Sequence, residues 1–426
     1  MKITHISAGD FSGGAARAAF RLHAGLRQMG VDSRMFVERG ESSDETVITY
    51  SRKGLPRRLL HGLRNRLLSR EIGWYQLRQP IGESLFSDDR TAYRAAPVRQ
   101  VPAADLLNLH WVAGFVDYGS FFRALPTNLP LVWTLHDMNP FTGGCHHAGA
   151  CDSFEHRCGA CPQLDSKREE DPSRAIWKRK QRAYAGVASG RLHVVTPSRW
   201  LAGQVRRSAL FGSRPVSVIP YGLDTEVFQP RDRLFARQLF GIPANAKVVL
   251  FVAVWLEDRQ KGFFLLPRAL EVLGGDPDLY LVSIGRTGEN NVGPGRHIAL
   301  PYTSDERALS CLYSAADVFL LPTFADNFPN TALEALACGV PVVAFCVGGV
   351  PEIVRDGVTG LLAEPGNAEG LGRVIGEILG NPQRRRTMSE NCRRVAVEEY
   401  ALQIQAKRYL ELYRDMLGQG GICANE

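Results

Sequence analysis

The chain has 426 residues, of which 45% are hydrophobic and 22% are charged, and its formal net charge is +7. This length and composition are those of a globular protein with two domains, each long enough to bury its own core. No apolar run approaches the ~18 residues that a membrane-spanning helix needs, which argues against an integral membrane protein.

The N-terminal segment predicts a strand at residues 2–7, a glycine loop at 9–14 and a helix at 15–29. Strand, glycine loop and helix open many nucleotide-binding α/β domains, which makes Gly13 and Gly14 candidate ligand contacts. A tight turn is the commoner role of such a pair. The segment does not look like a signal peptide, so we expect a cytoplasmic protein whose nine cysteines are reduced.

Residues 52–70 concentrate positive charge, with seven Lys or Arg and no Asp or Glu. Leucines at four-residue steps predict a basic amphipathic helix, which could lie on a membrane surface, bind a partner or pack on the core. We favour peripheral membrane contact, because each basic residue near anionic lipid adds about 1 kcal/mol. Nucleic acid binding is not indicated, since no aromatic residues are interleaved.

Two further buried strands are predicted at 106–110 and 131–135, ending at His110 and just before His136. Ligands of parallel α/β sheets bind beyond the carboxyl ends of the strands, so these histidines are candidate site residues. A hydrogen-bonded structural role is the commoner one for any single histidine.

Four of the nine cysteines, Cys145, Cys151, Cys158 and Cys161, lie within seventeen residues. Four thiolates can hold a tetrahedral zinc ion that stabilises a loop, so the loop at 143–164 is a candidate structural zinc site. Because the spacing is not a double CxxC, reduced packed cysteines remain an alternative, as do disulfides or redox chemistry.

The second half of the chain opens with an apolar strand from Lys247, followed by Arg259 and Lys261. These two basic residues could neutralise a departing diphosphate, although such a turn is more often a solvated loop. Asp276 and Asp278 have the spacing of a metal-binding DxD pair, but the surrounding Gly and Pro predict a turn.

Residues 317–352 carry the strongest pattern, namely a buried strand, a helix at 330–337 and a valine-rich strand at 340–345. This is a βαβ unit of a parallel sheet. The loop before the helix is an anion site, since it offers backbone N–H groups at a helix N-terminus. The residues that would donate them are Asn327, Phe328, Asn330 and Thr331.

Two acidic residues flank this loop, Asp326 before it and Glu334 in the first turns of the helix. A carboxylate beside a phosphate site is favourable only where it faces hydroxyl groups. The pattern therefore indicates a ligand with both phosphate and sugar hydroxyls, a nucleotide sugar. Thr331-x-x-Glu334 is also the pattern of a capping box, in which Glu334 would only satisfy helix N–H groups.

The stretch from Asp326 to GGVPEIV resembles the donor-binding signature of family 4 retaining glycosyltransferases, which have the GT-B fold. The resemblance implies an α/β protein with two Rossmann-like doubly wound domains facing a cleft. It implies that Asp326, which stands where the family usually has Glu, contacts the transferred sugar. It also implies that the loop N–H groups hold the diphosphate and that Glu334 binds the ribose hydroxyls.

Other segments carry the same resemblance. TLHD resembles the cleft histidine of the family, which implies that His136 contacts the donor sugar or the acceptor. GGAAR, with Gly13 and Gly14, stands where the N-terminal domain faces donor and acceptor. Lys261-Gly262 matches the family pattern, whereas Trp255 occupies the usual arginine position, so Arg259 is the candidate substitute. Residues 131–164 look like a subset that builds bacterial exopolysaccharide, O-antigen and colanic-acid-type glycans.

We therefore predict an acceptor-side domain at 1–228, a nucleotide-sugar-binding domain at 229–398, and a C-terminal helix at 399–426 that crosses back to the first domain. The predicted reaction transfers a sugar from a UDP- or GDP-sugar to a glycan, such as a lipid-linked oligosaccharide at the inner membrane face, with retention and without a metal cofactor. The alternative is a non-catalytic regulatory zinc protein that binds a nucleotide sugar. A phosphorylase or epimerase with the same fold is supported by no particular residue.

Overall fold

The computed structural model describes residues 1–11, 13–51, 85–286 and 296–418, together with the isolated residues 62, 64, 66, 68 and 73. The predicted basic helix at 52–70 thus lies outside the described residues, except at four positions. The chain forms two compact units. The first comprises Met1–Pro220 and Gln405–Glu426, and the second comprises Tyr221–Ile404.

The first unit is built on a parallel sheet, whose seven described strands run in the order β3-β2-β1-β4-β5-β6-β7. The central strands β4 and β5 are buried on both faces, which explains their continuous apolar sequences. The strands are β1 (Lys2–Gly9), β2 (Asp32–Arg39), β3 (Val47–Thr49), β4 (Leu106–Leu109), β5 (Leu131–Thr134), β6 (Leu192–Thr196) and β7 (Val216–Val218).

Three helices of the first unit begin where a polar side chain bonds to an N–H group of the first turn. Asp117, Asp171 and Ser198 each accept a hydrogen bond from the backbone N–H three residues further on. The described helices are α1 (Gly14–Gln28), α2 (Tyr118–Ala124), α3 (Pro172–Ala185) and α4 (Arg199–Arg207). The short elements β2, β3 and α2 were not among the predicted ones.

The second unit contains another parallel sheet, with the described order β10-β9-β8-β11-β12-β13. Its strands are β8 (Lys247–Trp255), β9 (Leu279–Arg286), β10 (Arg296–Leu300), β11 (Val318–Leu321), β12 (Val342–Phe345) and β13 (Gly360–Ala363). The sequence at 357–362 suggests a hairpin, and this prediction is wrong, because β13 pairs parallel to β12. Asp276 and Asp278 form the predicted turn, in which Asp276 Oδ1 accepts from the Asp278 N–H at 2.9 Å.

The remaining helices cover the second sheet, with one exception. They are α5 (Arg233–Leu239), α6 (Leu266–Glu271), α7 (Glu306–Ala315), α8 (Asn330–Ala337), α9 (Val350–Ile353), α10 (Ala368–Gly380), α11 (Pro382–Glu399) and α12 (Leu402–Met416). The exception is α12, whose Tyr409 and Tyr413 are buried in the first unit beside Ile3 and Leu106. Within the described ranges, no helix combines the length and apolar character needed to cross a membrane.

Candidate functional site

Two loops meet at the carboxyl ends of the neighbouring strands β8 and β11. Gln260 O, in the loop after β8, accepts hydrogen bonds from the Phe324 N–H at 2.8 Å and the Thr323 hydroxyl at 3.1 Å. Gly262 has a φ of 72°, and a Cβ there would lie 2.1 Å from Pro322 O. The glycine of the Lys-Gly pair is therefore required for the close approach of the two loops.

This approach joins two of the predicted site residues. Lys261 Nζ lies 3.0 Å from Asp326 Oδ2, and the two side chains are 36% and 19% exposed. The charge of Asp326 raises the pKa of Lys261, so the ammonium group stays charged at neutral pH. A half-buried cation thus lies at the carboxyl end of the sheet, where ligands of α/β folds bind.

The backbone of Asp326 is held by the glycine pair of the GGVPE segment. Gly349 donates its N–H to Asp326 O at 3.2 Å. Gly348 has a φ of 53°, and a Cβ there would lie 2.1 Å from the same oxygen. The pair therefore fixes the position of Asp326, a role that the sequence pattern alone did not reveal.

Glu334 is almost fully buried in α8, where its carboxylate accepts a hydrogen bond from the Tyr313 hydroxyl at 3.1 Å. The helix starts after Pro329, whose side chain makes no capping hydrogen bond. Thr331 lies inside the helix rather than at the capping position, so the capping-box interpretation is wrong. Glu334 is thus a buried carboxylate one turn inside the helix, with the Tyr313 hydroxyl among its partners.

The other predicted residues of this loop have differing surroundings. Phe328 is buried, with its ring edge-on to Tyr221 at 5.6 Å and to Tyr400 at 5.8 Å, so its side chain anchors the loop. Asn327 is also buried, while Asn330 and Thr331 form the first turn of α8. The first N–H groups of an α-helix have no i−4 acceptor within the helix, which is why a helix N-terminus is suited to binding an anion.

The two arginines near the end of β8 lie on aromatic rings. The Arg259 guanidinium is 5.1 Å from the ring of Phe264, which stacks on Phe324. Arg286, at the end of β9, lies over Trp255 at 5.4 Å. The structure thus places Arg259 on an aromatic pair. A second arginine, Arg286, was not singled out by the sequence pattern. It contacts Trp255, which stands where the family usually has an arginine.

In the first unit, the glycine loop leads directly into α1. Gly13 has a φ of 95°, and a Cβ there would meet nothing within 4 Å. The backbone conformation, rather than crowding, therefore requires glycine at this position. Gly14 is the first residue of the helix.

His136 follows β5 and is linked to another histidine. Its Nε2 lies 3.1 Å from Nδ1 of His110, and burial lowers the pKa of His136 to about 4. Next to it, Asp137 accepts from Trp111 Nε1 at 2.8 Å and pairs with His146 at 2.5 Å. Burial alone would raise the pKa of Asp137, but His146 lowers it to about 2. The site therefore holds a neutral imidazole beside a charged carboxylate.

The four clustered cysteines are free thiols in the structure, and burial raises the pKa of Cys145, Cys158 and Cys161 to about 12. The Gly143 N–H donates to Cys158 Sγ at 3.1 Å. Among the described residues, no group of three or more His, Cys, Asp or Glu is placed to hold a metal ion. The arrangement therefore does not fit a zinc ion as it stands, and zinc at these cysteines stays a prediction.

Two family models cover nearly the whole chain. The model described as Glycosyltransferase Family 4 matches residues 12–227, just over half of the chain. The chain belongs to glycosyltransferase family 4. The model described as Glycosyl transferases group 1 matches residues 232–395 of this family 4 protein, the region that contains Lys261, Asp326 and Glu334.

A relative in sequence agrees with this membership, and a solved structure is similar in fold. A D-inositol 3-phosphate glycosyltransferase of Kribbella flavida is 31% identical over 48% of this chain and 52% of its own length. The family 4 chain spans about half the length of the curated relatives it matches. Sucrose-phosphate synthase from Thermosynechococcus elongatus has a TM-score of 0.66 at 21% identity, covering 98% of this chain and 99% of its own.

A second solved structure, Anabaena Alr3699/HepE in complex with UDP-glucose, has a TM-score of 0.64 at 19% identity, covering 97% of this chain and 100% of its own. These likenesses and the two parallel sheets show that the family 4 chain has the predicted α/β GT-B fold.

Proposed function

We propose that this protein is a retaining glycosyltransferase that moves a sugar from a nucleoside diphosphate sugar to a glycan acceptor. The observation that carries the proposal is Glu334, a buried carboxylate one turn inside the helix that follows the loop after β11. The ion pair of Lys261 and Asp326 lies beyond the neighbouring strand ends of the same sheet. This unit thus contains groups suited to both halves of a sugar diphosphate.

The roles follow from the charge of each group. Glu334 and Asp326 would accept hydrogen bonds from the ribose and from the transferred sugar. Lys261 and the N–H groups at the start of α8 would bind the diphosphate and stabilise the charge that develops on it as it leaves. Anabaena Alr3699/HepE, which shares the fold, was solved with UDP-glucose, and this supports a nucleotide sugar as the donor.

The proposed acceptor is a lipid-linked oligosaccharide of bacterial surface polysaccharide synthesis. The basic segment at 52–70 supports it, because its seven positive charges would favour an anionic membrane surface. The resemblance of residues 131–164 to enzymes of this class supports it as well. The proposed chemistry uses no metal ion.

The experiment that tests the donor site compares Glu334→Gln with Glu369→Gln, incubating each with a panel of UDP- and GDP-sugars. Glu369 is the matched control, because it lies in the first turn of another helix, exposed and paired with Arg268. Nucleotide release from one donor should have a KM raised roughly 10- to 100-fold in Glu334→Gln, since a hydrogen bond to a charged group contributes about 1.5–3 kcal/mol. The control should stay within twofold.

Three outcomes would contradict all or part of the proposal. If no donor binds or releases nucleotide, the glycosyltransferase assignment fails. If a donor stabilises the protein without any turnover, even with glycan acceptors present, the chain is a nucleotide-sugar-binding protein of the non-catalytic kind. An inverted anomeric configuration in the product would overturn the retaining mechanism alone.

A further inference from the structure

Three histidines form a hydrogen-bonded file across the centre of the first sheet. His5 lies in β1, His110 directly follows β4 and His136 follows β5, and these three strands are neighbours. His5 Nδ1 lies 2.9 Å from His110 Nε2, and His110 Nδ1 lies 3.1 Å from His136 Nε2. The inner ring therefore uses both of its nitrogens on other imidazoles.

The backbone holds His110 firmly in this file. Its N–H donates to Ile6 O at 2.8 Å, and its carbonyl accepts from Trp133 Nε1 at 3.2 Å. Its ring is tilted by 34° to that of His5 and by 33° to that of His136. The geometry is thus set by main-chain contacts, and the ring nitrogens are left to bond along the file.

The three rings are neutral near pH 7. Burial lowers the pKa of His5 and of His110 well below the usual range, and lowers that of His136 to about 4. The charged groups nearby do not reverse this, because Asp137 raises the pKa of His136 only in part. His23, the ring beside His5, is engaged with Ser33 and Thr46 at 2.8 and 2.9 Å.

Because the three rings are neutral, the hydrogen bonds of the file must all run in one direction. A neutral imidazole carries one N–H and one bare nitrogen. His110 must therefore donate on one side and accept on the other, so all the N–H groups of the file point the same way. They point either from His5 towards His136 or in the reverse direction.

The end of the file at His5 decides between the two directions. His5 Nε2 is buried and has no hydrogen-bond partner among the described residues. In the reverse direction this atom would be a buried N–H without an acceptor, whereas in the forward direction it is a bare nitrogen. Buried donors without partners are the rarer case in folded proteins. The forward direction is the one that the structure supports.

We propose that His5 and His110 are positioning residues, which hold His136 as the tautomer that carries its proton on Nδ1. His110 donates to Nε2 of His136, so the proton of His136 must lie on its other nitrogen. In this form Nδ1 of His136 is an N–H group, which can donate to an oxygen atom such as that of a sugar and is unable to act as a base. The meaning of this tautomer for catalysis rests on the proposed function; the tautomer itself does not.

The experiment uses the full chain with 15N-labelled histidine and records long-range proton–nitrogen NMR spectra of the side chains. The nitrogen shifts separate an N–H nitrogen from a bare one, and loss of the His136 signals in His136→Gln assigns them. At neutral pH without ligand, we expect Nδ1 of His136 as the N–H nitrogen and Nε2 as the bare one. The opposite assignment would overturn the proposal.

Two variants test whether the file sets this state. His110→Phe keeps a ring but removes the donor to His136, and we expect the Nε2–H form of His136 to become populated. His193→Phe is the matched control, because His193 lies in β6 of the same sheet and bonds to Ser217 at 2.9 Å, outside the file. An unchanged His136 tautomer in His110→Phe would overturn the role of the file.

If His110→Phe does not fold, His5→Phe provides the same test one ring further away, and the spectrum of the unmodified chain still reads the direction. Because no donor is needed for the spectra, the two proposals can fail separately. If His136 has its proton on Nδ1 but no nucleotide sugar is turned over, only the proposed function is contradicted. If a nucleotide sugar is turned over but His136 has its proton on Nε2, only the proposal about the histidine file is contradicted.

Discussion

The Lys261–Asp326 pair of the second unit and the histidine file of the first unit differ in whether they carry charge. In the second unit, a charged lysine pairs with a charged carboxylate where both are still partly exposed, as for Lys261 and Asp326. In the first unit, the titratable groups in the file are buried rings that burial keeps neutral, from His5 to His136. Partial exposure reduces the desolvation penalty of an ion, whereas full burial favours neutral hydrogen-bonding groups. Charge suits the binding of a diphosphate, and neutral donors suit the binding of hydroxyl groups.

The largest effect should come from removing the cation of the second unit. In Lys261→Met we expect kcat for nucleotide release to fall by roughly 10²- to 10³-fold, because a preorganised group that stabilises the leaving charge is lost. Steady-state kinetics with the donor identified in the panel would measure it. Lys247→Met is the matched control, since Lys247 forms a similar ion pair with Asp276, and that pair lies at the opposite end of β8. Equal losses in both variants would mean that charge at this edge has no special role.

The next effect concerns the glycines that hold Asp326. In Gly348→Ala, the new Cβ must displace Asp326 O, and a shift near 1 Å in a reacting site can cost about 10²-fold in rate. Gly357→Ala is matched in backbone conformation, with a φ of 73°, but a Cβ there meets nothing within 4 Å. The positive φ should cost both variants about 1 kcal/mol of stability, and Gly348→Ala should lose more because its Cβ also meets Asp326 O. Only Gly348→Ala should lose turnover; a parallel loss in Gly357→Ala would argue against the glycine pair as the support of Asp326.

Lowering the pH should destabilise the first unit. The His23 ring is buried with a pKa lowered to about 4, whereas in the unfolded chain it titrates near 6.5. The unfolded state therefore binds the proton first, and stability is lost as the pH falls from about 6.5 towards 4. By pH 5 this ring alone should remove about 2 kcal/mol of the free energy of unfolding.

Urea unfolding at pH 7 and pH 5, followed by tryptophan fluorescence, would measure this loss. The fluorescence reports mainly on the first unit, because Trp255 is the single tryptophan of the sequence that falls within the second. His23→Gln should reduce the pH dependence by about one proton. A first unit as stable at pH 5 as at pH 7 would contradict the neutral state of its histidines.

The smallest effect should come from the support of Glu334. Tyr313→Phe removes one hydrogen bond to this carboxylate, and we expect the donor KM to rise about fivefold, in line with about 1 kcal/mol for such a bond. Tyr280→Phe is the control, because its hydroxyl bonds to Arg296 at the far side of the sheet. A KM that does not change in Tyr313→Phe would show that Glu334 is held by its other contacts.

Prediction from the sequence was most accurate for elements whose start, end and apolar pattern are set by residues close together along the chain. The helix at 330–337 was predicted with the bounds that the structure has, because an apolar strand, a proline and a terminal glycine fix it locally. Lys261 and Asp326 were both singled out, although their pairing depends on the neighbouring positions of β8 and β11. The helix α5 was missed, since Leu234, Phe235 and Leu239 are exposed and give no amphipathic pattern towards a core.

The histidine file could not be derived from local patterns. Its first link joins residues 105 positions apart and its second joins residues 26 apart, so the contacts depend on the strand order. The one available signal was that His110 and His136 both stand at the ends of predicted strands. His5 gave no signal, because it lies in the middle of the predicted strand, away from the carboxyl end.

The last helix of the chain has a consequence for biosynthesis. Tyr413 of α12 bonds to Asn108 at 2.7 Å, and Tyr409 bonds to Thr134 at 2.9 Å, so the end of the chain completes the core of the first unit. The whole segment Tyr221–Ile404 is translated before these tyrosines emerge from the ribosome. At roughly 5–20 residues per second, the first sheet waits on the order of 10 to 40 s with that face of its core uncovered. During synthesis, the inserted second unit has the opportunity to fold before the unit that begins the chain is complete.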